Sequence, residues 1–506
     1  MQFAKVKSIA VVGLTPYLVD VEVNIESKAL PKFEIVGLPG KAVEEAKERV
    51  RSAIKTSGFD YPNKKIVVNL APADIPKEGP VYDLPIAIAI LLADGKLTLP
   101  DIDQYVLIGE LSLDGNLRAV NGVLPAGIFA LQNNLKVACS SHNVSELSLI
   151  KNLCYIANPT LNSLISALKK PDESLVVSDG QLHLDENVID ESEIRFEHIK
   201  GQEMAKRAME IAASGGHNIL LDGPPGCGKS LLAKALSSIL PNLSEEEQLE
   251  VSSIHSIVGL NKHGILKKRP IRTPHHSISK HGLIGGGSNI KPGEISLAHR
   301  GVLYLDEFPE FPRTVLESLR QPIEDGKVSI SRVSGNITFP CKFMLVASQN
   351  PCPCGYYGTN IKDCICSMNV VNKYRGKVSG PLIDRIDLFV SMEPVLIEKL
   401  LSEEESETES SSTVSKRVQN TRDIQSNRYK QLGYLTNSEI PVSKIKIFCK
   451  LDTDCQKFLT AASNKYGLSA RSVNRVLKVA RTIADLGGVE EIGLPHLAEA
   501  IQYRKL

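Results

Sequence analysis

Val19, Val21, Val23 and Ile25 alternate with Asp20, Glu22, Asn24 and Glu26, the two-residue period of a strand with one buried face. Val43, Ala46, Val50, Ala53 and Ile54 then recur at helical spacing with charges between them. IVVNLAP, from Ile66, predicts a short buried strand. Residues 1–170 therefore predict a mixed α/β domain. From 195 to 395, helical stretches alternate with the short apolar runs NILLDG, GVLYLDE and FMLVAS, which predicts a parallel sheet with crossover helices. Residues 440–506 carry no strand signal. Val473, Val476, Leu477, Ala480 and Ile483 form one helical stripe there, and Pro495 opens a second helix, so this end predicts a small helical domain. Two polar stretches, 171–194 and 396–439, separate the segments and are expected to be linkers. The first is acidic, and the second holds glutamates up to Glu409 followed by a serine run.

Composition narrows the picture. A chain of 506 residues suggests about three domains, and 42% hydrophobic with 23% charged residues excludes a wholly disordered protein. The 59 basic side chains nearly balance the 58 acidic ones, leaving a net charge of +1. A nucleic-acid partner would therefore have to be held by local basic elements. The longest clean apolar run, Leu84 to Ala93, is too short to span a bilayer, and the start MQFAKVKSIAVVG lacks the pattern of an export signal. No membrane partner and a cytoplasmic location are expected. Among ten cysteines, the cluster Cys352, Cys354, Cys364 and Cys366 favours a metal site or reduced thiols over disulfides.

GPPGCGKS fits the phosphate-loop pattern in full: Gly223, Pro224, Pro225, Gly226, Cys227, Gly228, Lys229 and Ser230. The strand NILLDG precedes it, and a helix bearing Leu231, Leu232, Ala235, Leu236 and Ile239 follows. The glycines let backbone N–H groups close around phosphate oxygens at a helix N-terminus. Lys229 is expected to reach the β- and γ-phosphates of ATP, and Ser230 to ligate Mg²⁺. GVLYLDE ends a second strand with Asp306, expected on the Mg²⁺, and Glu307, expected to polarise the attacking water. FMLVAS runs into Gln349 and Asn350, where an amide could orient that water or sense the γ-phosphate. The alternative is a turn-forming Asn-Pro.

With these motifs the middle segment resembles the AAA+ ATPases, the ring-forming P-loop motors. The resemblance places Asn350 at the first sensor and makes FEHIKGQEMAKRAMEIAASGGHNIL the helix that helps cradle adenine. SGPLIDRIDL resembles the segment carrying the arginine finger, so Arg385 would enter a neighbouring subunit's site. LSARSVNRVLKVARTIADL resembles the lid helix with the second sensor, for which Arg471 is the candidate and Arg475 the alternative. An arginine supplied in trans implies a ring.

Two insertions resemble those of the magnesium-chelatase-like branch, in which they project toward the ring's pore. One is KHGILKKRPIRTPHHSISKHGLIGGGSNIKPGEISLAHRG, with Lys267, Lys268, Arg269, Arg272 and Lys280; the other is GKVSISRVSGNITFP, a predicted β-hairpin with Arg332 near its tip. Repeated around a ring, these cations would line a pore able to follow a phosphate backbone. A solvated basic surface or subunit-interface salt bridges are the alternatives. His275, His276 and His281 have no matched acidic or cysteine partner and are read as structural or interface residues. In CPCGYYGTNIKDCIC the four cysteines either close a tetrahedral Zn²⁺ site or remain reduced thiols; the C-x-C spacing is tighter than usual for zinc.

APADIPKEGPVYDLPIAIAIL and LIGELSLDGNLRAVNGVLPA resemble the proteolytic domain of Lon-type proteases. However, Val81 follows the KEGP tetrapeptide where that family has its serine, and Leu124 falls at the lysine position. Without nucleophile and base no acyl-enzyme forms. The expected architecture is a Lon-protease-like α/β domain lacking the Ser-Lys dyad, serving partner or ring-edge contacts, followed by an AAA+ P-loop core and a helical lid. Together with the tail GLPHLAEAIQYR, this combination resembles the YifB/ComM family of magnesium-chelatase-like ATPases linked to natural transformation. The resemblance implies ATP and Mg²⁺ as cofactors and a homo-hexamer. It also implies a DNA helicase that promotes branch migration on single-stranded or branched DNA. A chelatase motor subunit and a protein remodeller are the competing readings.

Overall fold

The structure is a computed structural model that describes residues 2–27, 29–180, 194–261, 266–287, 290–332, 335–360, 362–395 and 409–504. The chain divides into two compact units. One is Met1–Glu186 with Glu245–Leu266 and Val333–Thr338; the other is Asn187–Ser244 with Lys267–Arg332 and Phe339–Leu506.

The first unit is built on an eight-stranded mixed sheet. Its order is Val176–Val177, Cys154–Asn158, Lys136–Ser140, Tyr105–Ile108, Phe3–Val12, Thr15–Glu26, Lys65–Ala71 and Lys32–Val36. The alternation in Thr15–Glu26 works as expected: Val19, Val21, Val23 and Ile25 are buried, and so are Ile66, Val68 and Leu70 on the neighbouring strand. Val43 to Ile54 bury their apolar stripe on two helices, Lys41–Glu44 and Ala46–Thr56. The apolar run forms the helix Asp83–Ala93, buried on nearly every side. Glu110–Leu111 and Leu117–Arg118 pair across a turn held by Asp114, which accepts from Asn116.

One helix departs from the expected boundary of the 195–395 segment. Glu245–Ile257 folds with the first unit: Ser256 Oγ donates to Glu146 at 2.7 Å, and Leu249 packs on the cluster around Val123 and Leu147. The reason is chemical. A helix whose Ser252, Ser253, His255 and Ser256 are all buried needs polar partners on the surface it meets, and Glu146 offers a buried carboxylate.

The second unit contains a five-stranded sheet, Ile271–Arg272, Val302–Leu305, Met344–Gln349, Ile219–Asp222 and Leu388–Ser391, parallel throughout. Its core runs without a break from Ile219 and Val346 to Val476, Ala480 and Leu497 of the C-terminal helices Ala470–Leu486 and Leu494–Gln502. Lys327–Arg332 and Gly335–Pro340 form a two-stranded sheet, as the alternation predicts.

The expected linker 396–439 is corrected by an 18-residue helix, Ser411–Arg428. The serine run caps it, because Ser410 accepts from the Thr413 N–H. Val414, Val418, Thr421 and Gln425 then repeat at one-face spacing and are buried, and Arg422 and Gln425 donate to the Ala213 and Ser214 carbonyls. That face is half polar, which hides it from a search for apolar periodicity. In the stretch 171–194, Pro171–Ser174 is helical and Val176–Val177 joins the sheet edge, while 181–193 lie outside the described residues. Among the described residues no helix is long and apolar enough to cross a membrane.

Candidate nucleotide site

Three parallel strands deliver the site. Ile219–Asp222 leads into the phosphate loop, whose Gly226 and Gly228 have φ of +80° and +92°, values that disfavour any side chain. A Cβ on either would meet open space, so the loop surrounds room for a ligand. Helix Lys229–Ala235 then aims its N-terminus at that space. It shortens the expected helix: Leu236–Ser238 is a 3₁₀ turn, and Leu231 is 51% exposed while Leu232, Ala235, Leu236 and Ile239 are buried.

The Lys229 ammonium turns back over the loop. It donates to the carbonyls of Gly223 at 2.6 Å and Pro224 at 2.8 Å and to Asn350 Oδ1 at 3.1 Å. Its partners among the described residues are neutral, three oxygens and the Cys227 sulfur, a coordination that an anionic phosphate would improve. Cys227 is buried beside it, its Sγ 3.8 Å from the Lys229 ammonium.

Ser230 Oγ donates to Asp306 Oδ2 at 2.9 Å, which brings together a hydroxyl and a carboxylate suited to Mg²⁺. Burial works against charge on Asp306, but hydrogen bonds from Ser348 and Ser230 outweigh it and hold its pKa below the usual carboxylate value. Tyr304 donates to Ser348 at 3.2 Å, and burial pushes its own phenol up to about 12. These donors fit ATP with Mg²⁺: Lys229 and the loop would hold phosphates, and Ser230 and Asp306 the cation.

Glu307 stands in the left-handed region, φ +52°, with its side chain 55% exposed. His276 Nδ1 lies 3.5 Å from its Oε2, so one of the three histidines read as structural faces the expected catalytic acid. No sequence signal links positions 276 and 307; the fold does. Gln202 lies in the segment likened to the adenine-cradling helix, but no role of its own is legible in the sequence. It sits at φ +62° and donates to the carbonyls of Cys227, at 3.2 Å, and Glu393, tying the phosphate loop to the chain after the last strand.

The three candidate arginines sit in different surroundings. Arg385 is 7% exposed within the protomer, pairs with Glu324 at 2.7 Å and donates to the Pro381 carbonyl, while its buried Nε has no hydrogen-bond partner among the described residues. Arg471 is exposed in the first turn of its helix. Arg475 pairs with buried Asp387, as Arg504 holds the Ile386 carbonyl at 2.7 Å, so helix Ala470–Leu486 and the chain end grip the segment that carries Arg385. Burial alone would raise the Asp387 pKa, but the Arg475 charge outweighs it and holds it well below the usual range.

Two of the arginines expected to meet DNA have partners within the chain. Arg269 donates to the carbonyls of Pro241, Arg300 and Asn242, and Arg272 forms a two-pronged pair with Glu294 at 2.6 and 2.9 Å. Arg269 thus ties the insertion to the chain before it and Arg272 braces it internally, as a half-buried guanidinium uses its fork of donors. Lys267, Lys268 and Lys280 are exposed. The Arg332 side chain lies outside the described residues. The Sγ atoms of Cys352, Cys354, Cys364 and Cys366 all lie within 4.8 Å of one another.

Family comparisons agree with this geometry. Residues 195–400 match the family described as magnesium chelatase, subunit ChlI; residues 21–143 match subunit ChlI of Mg-chelatase; and residues 408–504 match the C-terminal part of that subunit. The chain is 43% identical to competence protein ComM of Haemophilus influenzae and 43% identical to protein YifB of Escherichia coli, in both cases over 100% of this chain and 98% of the relative. The 38 kDa magnesium-chelatase subunit of Rhodobacter capsulatus is 29% identical, over 31% of this chain and 50% of its own. With full-length identity to ComM and YifB and chelatase-type models along most of its length, the chain belongs to the YifB/ComM family of magnesium-chelatase-like, AAA+-type ATPases.

Proposed function

We propose that this chain is the subunit of a ring-shaped motor, a homo-hexamer, that uses ATP hydrolysis to drive branch migration of recombination intermediates during natural transformation. The observation that carries it is the convergence of Lys229 with Asn350 and of Ser230 with Asp306, in a chain 43% identical over its length to a competence protein.

When bound, ATP with Mg²⁺ supplies a phosphoanhydride whose hydrolysis releases the energy of the cycle. Lys229 leaves its carbonyl partners to neutralise phosphate charge, and Ser230 and Asp306 hold the cation. Glu307 accepts the proton of the attacking water, with Asn350 orienting it. Arg385 acts across a subunit boundary, which requires its Glu324 pair to open as the ring forms. Arg471, exposed on the C-terminal helices, is free to swing toward nucleotide as a second sensor. Lys267, Lys268 and Lys280 meet the phosphate backbone of single-stranded or branched DNA in the pore, with Arg332 on the hairpin. The first unit, with Val81 and buried Leu124 at the positions where a protease would need serine and lysine, serves partner contacts rather than peptide cleavage.

A protein-remodelling motor is the second reading, favoured by the presence of a whole extra unit before the ATPase. A chelatase motor subunit is the weaker alternative, because the full-length identity is to a competence protein, whereas the 38 kDa chelatase subunit is 29% identical over 31% of this chain. The deciding experiment is steady-state ATP turnover with and without single-stranded DNA, with Glu307→Gln as the control for contaminating ATPase. A DNA-dependent rise absent from the control supports the DNA motor. Turnover that depends on Glu307 but ignores DNA moves the weight to remodelling.

A further inference from the structure

The chain that leaves the sensor strand at Asn350 turns back on itself between Cys352 and Cys366, bringing four thiols to one point. Sulfur separations are 3.3 Å for Cys352–Cys354, 3.5 Å for Cys354–Cys364 and 3.7 Å for Cys352–Cys364. A disulfide would place its sulfurs about 2.05 Å apart, so these pairs are not bonded. Four sulfurs at about 2.3 Å from a central zinc stand at tetrahedron corners about 3.8 Å from each other. Three of the thiols therefore stand slightly closer together than tetrahedral zinc ligands would, and Cys366 Sγ lies within 4.8 Å of each of them.

The tight C-x-C spacing does not prevent this. Cys352 and Cys354 meet within a turn closed by the Gly355 N–H, which donates to the Cys352 carbonyl at 2.9 Å, so the spacer Pro353 is exposed while the two thiols come together. Ile365, between Cys364 and Cys366, is 86% exposed, an apolar side chain given up to solvent. The Tyr357 N–H donates to Cys352 Sγ at 3.3 Å, the kind of bond that steadies a thiolate ligand. Sulfur-only donors with no carboxylate among them select zinc over magnesium or calcium.

The cluster also touches the nucleotide site. Gly355, φ +87°, lies so close to the phosphate loop that a Cβ on it would come within 2.6 Å of Pro225 Cδ. Pro351, between Asn350 and the first cysteine, has its carbonyl held by Arg375 at 3.2 Å, and the Arg375 guanidinium lies 5.3 Å from the centre of the Tyr357 ring. We infer that Cys352, Cys354, Cys364 and Cys366 bind one structural Zn²⁺, and that this clasp sets the positions of Asn350 and Pro225 and so the nucleotide affinity of the phosphate loop. The zinc site stands on its own geometry; its coupling to nucleotide rests on the ATP site proposed above.

The test uses the full chain. Metal analysis of purified protein is expected to give one zinc per chain, released by a mercurial, and Co²⁺ substitution to give the absorption bands of a tetrahedral tetrathiolate. Cys354→Ser and Cys366→Ser lose the metal. Gly355→Ala keeps all four thiols and its zinc but pushes the loop off Pro225. Both kinds of variant should weaken fluorescent ATP-analogue binding roughly tenfold, the size of effect seen when outer-shell support is removed. Protein with intact nucleotide binding and less than a tenth of an equivalent of zinc would overturn the site. One zinc per chain whose removal leaves nucleotide affinity unchanged would overturn the coupling. Zinc content is read without ATP, so a zinc-loaded chain that never hydrolyses ATP would count against the motor and leave the metal site standing.

Discussion

The phosphate-loop pocket and the basic insertion were both marked by charged residues in the sequence, and the fold treats them in opposite ways. In the pocket the marked residues meet each other: Lys229 reaches Asn350, and Ser230 reaches Asp306. In the insertion Arg269 and Arg272 meet carbonyls and Glu294 instead, leaving the lysines at the surface. The difference lies in what each pattern specifies. The phosphate loop prescribes a backbone path, and its neighbours on parallel strands arrive at the same sheet end. A count of positive charges prescribes no partner, and a guanidinium with five donors readily becomes internal scaffolding.

The largest effect that would sharpen this contrast is at the pocket. Glu307→Gln should lower kcat for ATP by roughly 10²–10⁴-fold while nucleotide affinity is retained, read by phosphate release beside fluorescent-nucleotide titration. A variant that keeps its turnover would break the pocket side of the comparison.

Next come the two arginines of the helix Ala470–Leu486. Arg475→Met strands the buried Asp387 carboxylate and should cost about 3 kcal/mol in denaturant unfolding, whereas Arg471→Met should leave stability unchanged and lower turnover. The pH dependence has a definite sign. Because the Asp387 pKa is depressed on folding, its stabilisation is complete above the ordinary carboxylate value of about 4 and is lost as pH falls through the folded value. Arg475→Met should therefore move the acid-unfolding limb to higher pH.

The smaller effects separate surface lysine from scaffold arginine. Lys268→Glu should weaken single-stranded DNA binding and flatten its dependence on log salt by about one unit for each lost phosphate contact. Arg272→Gln should do the reverse, costing about 1 kcal/mol of stability, because its pair with Glu294 is half-buried and partly screened. If Arg272→Gln instead flattened the salt dependence at unchanged stability, the division drawn between the two kinds of cation would fail.

Much of the architecture was legible before any coordinates. The alternation of Val19 to Ile25, the three apolar strand runs and the stripe from Val473 to Ile483 all became the elements they predict, because period and burial are directly linked. Ser411–Arg428 was missed for a physical reason: its inward face mixes valines with Thr421 and Gln425, which are buried through hydrogen bonds rather than by being apolar. Glu245–Ile257 was misplaced for a similar one, as its buried face carries Ser252, His255 and Ser256. At the site, the contact of His276 with Glu307 and the bridging by Gln202 join residues far apart in sequence and belong to no spacing rule.

What the sequence determined by itself is the chemistry available: a phosphate loop, acids at a strand end, an amide after the next strand, and four thiols in one short loop. These follow from local rules, in which a few residues at fixed spacing dictate a turn, a strand end or a shared face. Only the tertiary structure decided which of those groups face one another. It buried Arg385 against Glu324, set Arg475 on Asp387, bound Arg272 to Glu294, and laid Gly355 on Pro225. The reason is that the partner of a charge, or the neighbour of a glycine, is chosen by how strands and helices pack, and packing sums small contributions from the whole chain, which no single stretch contains.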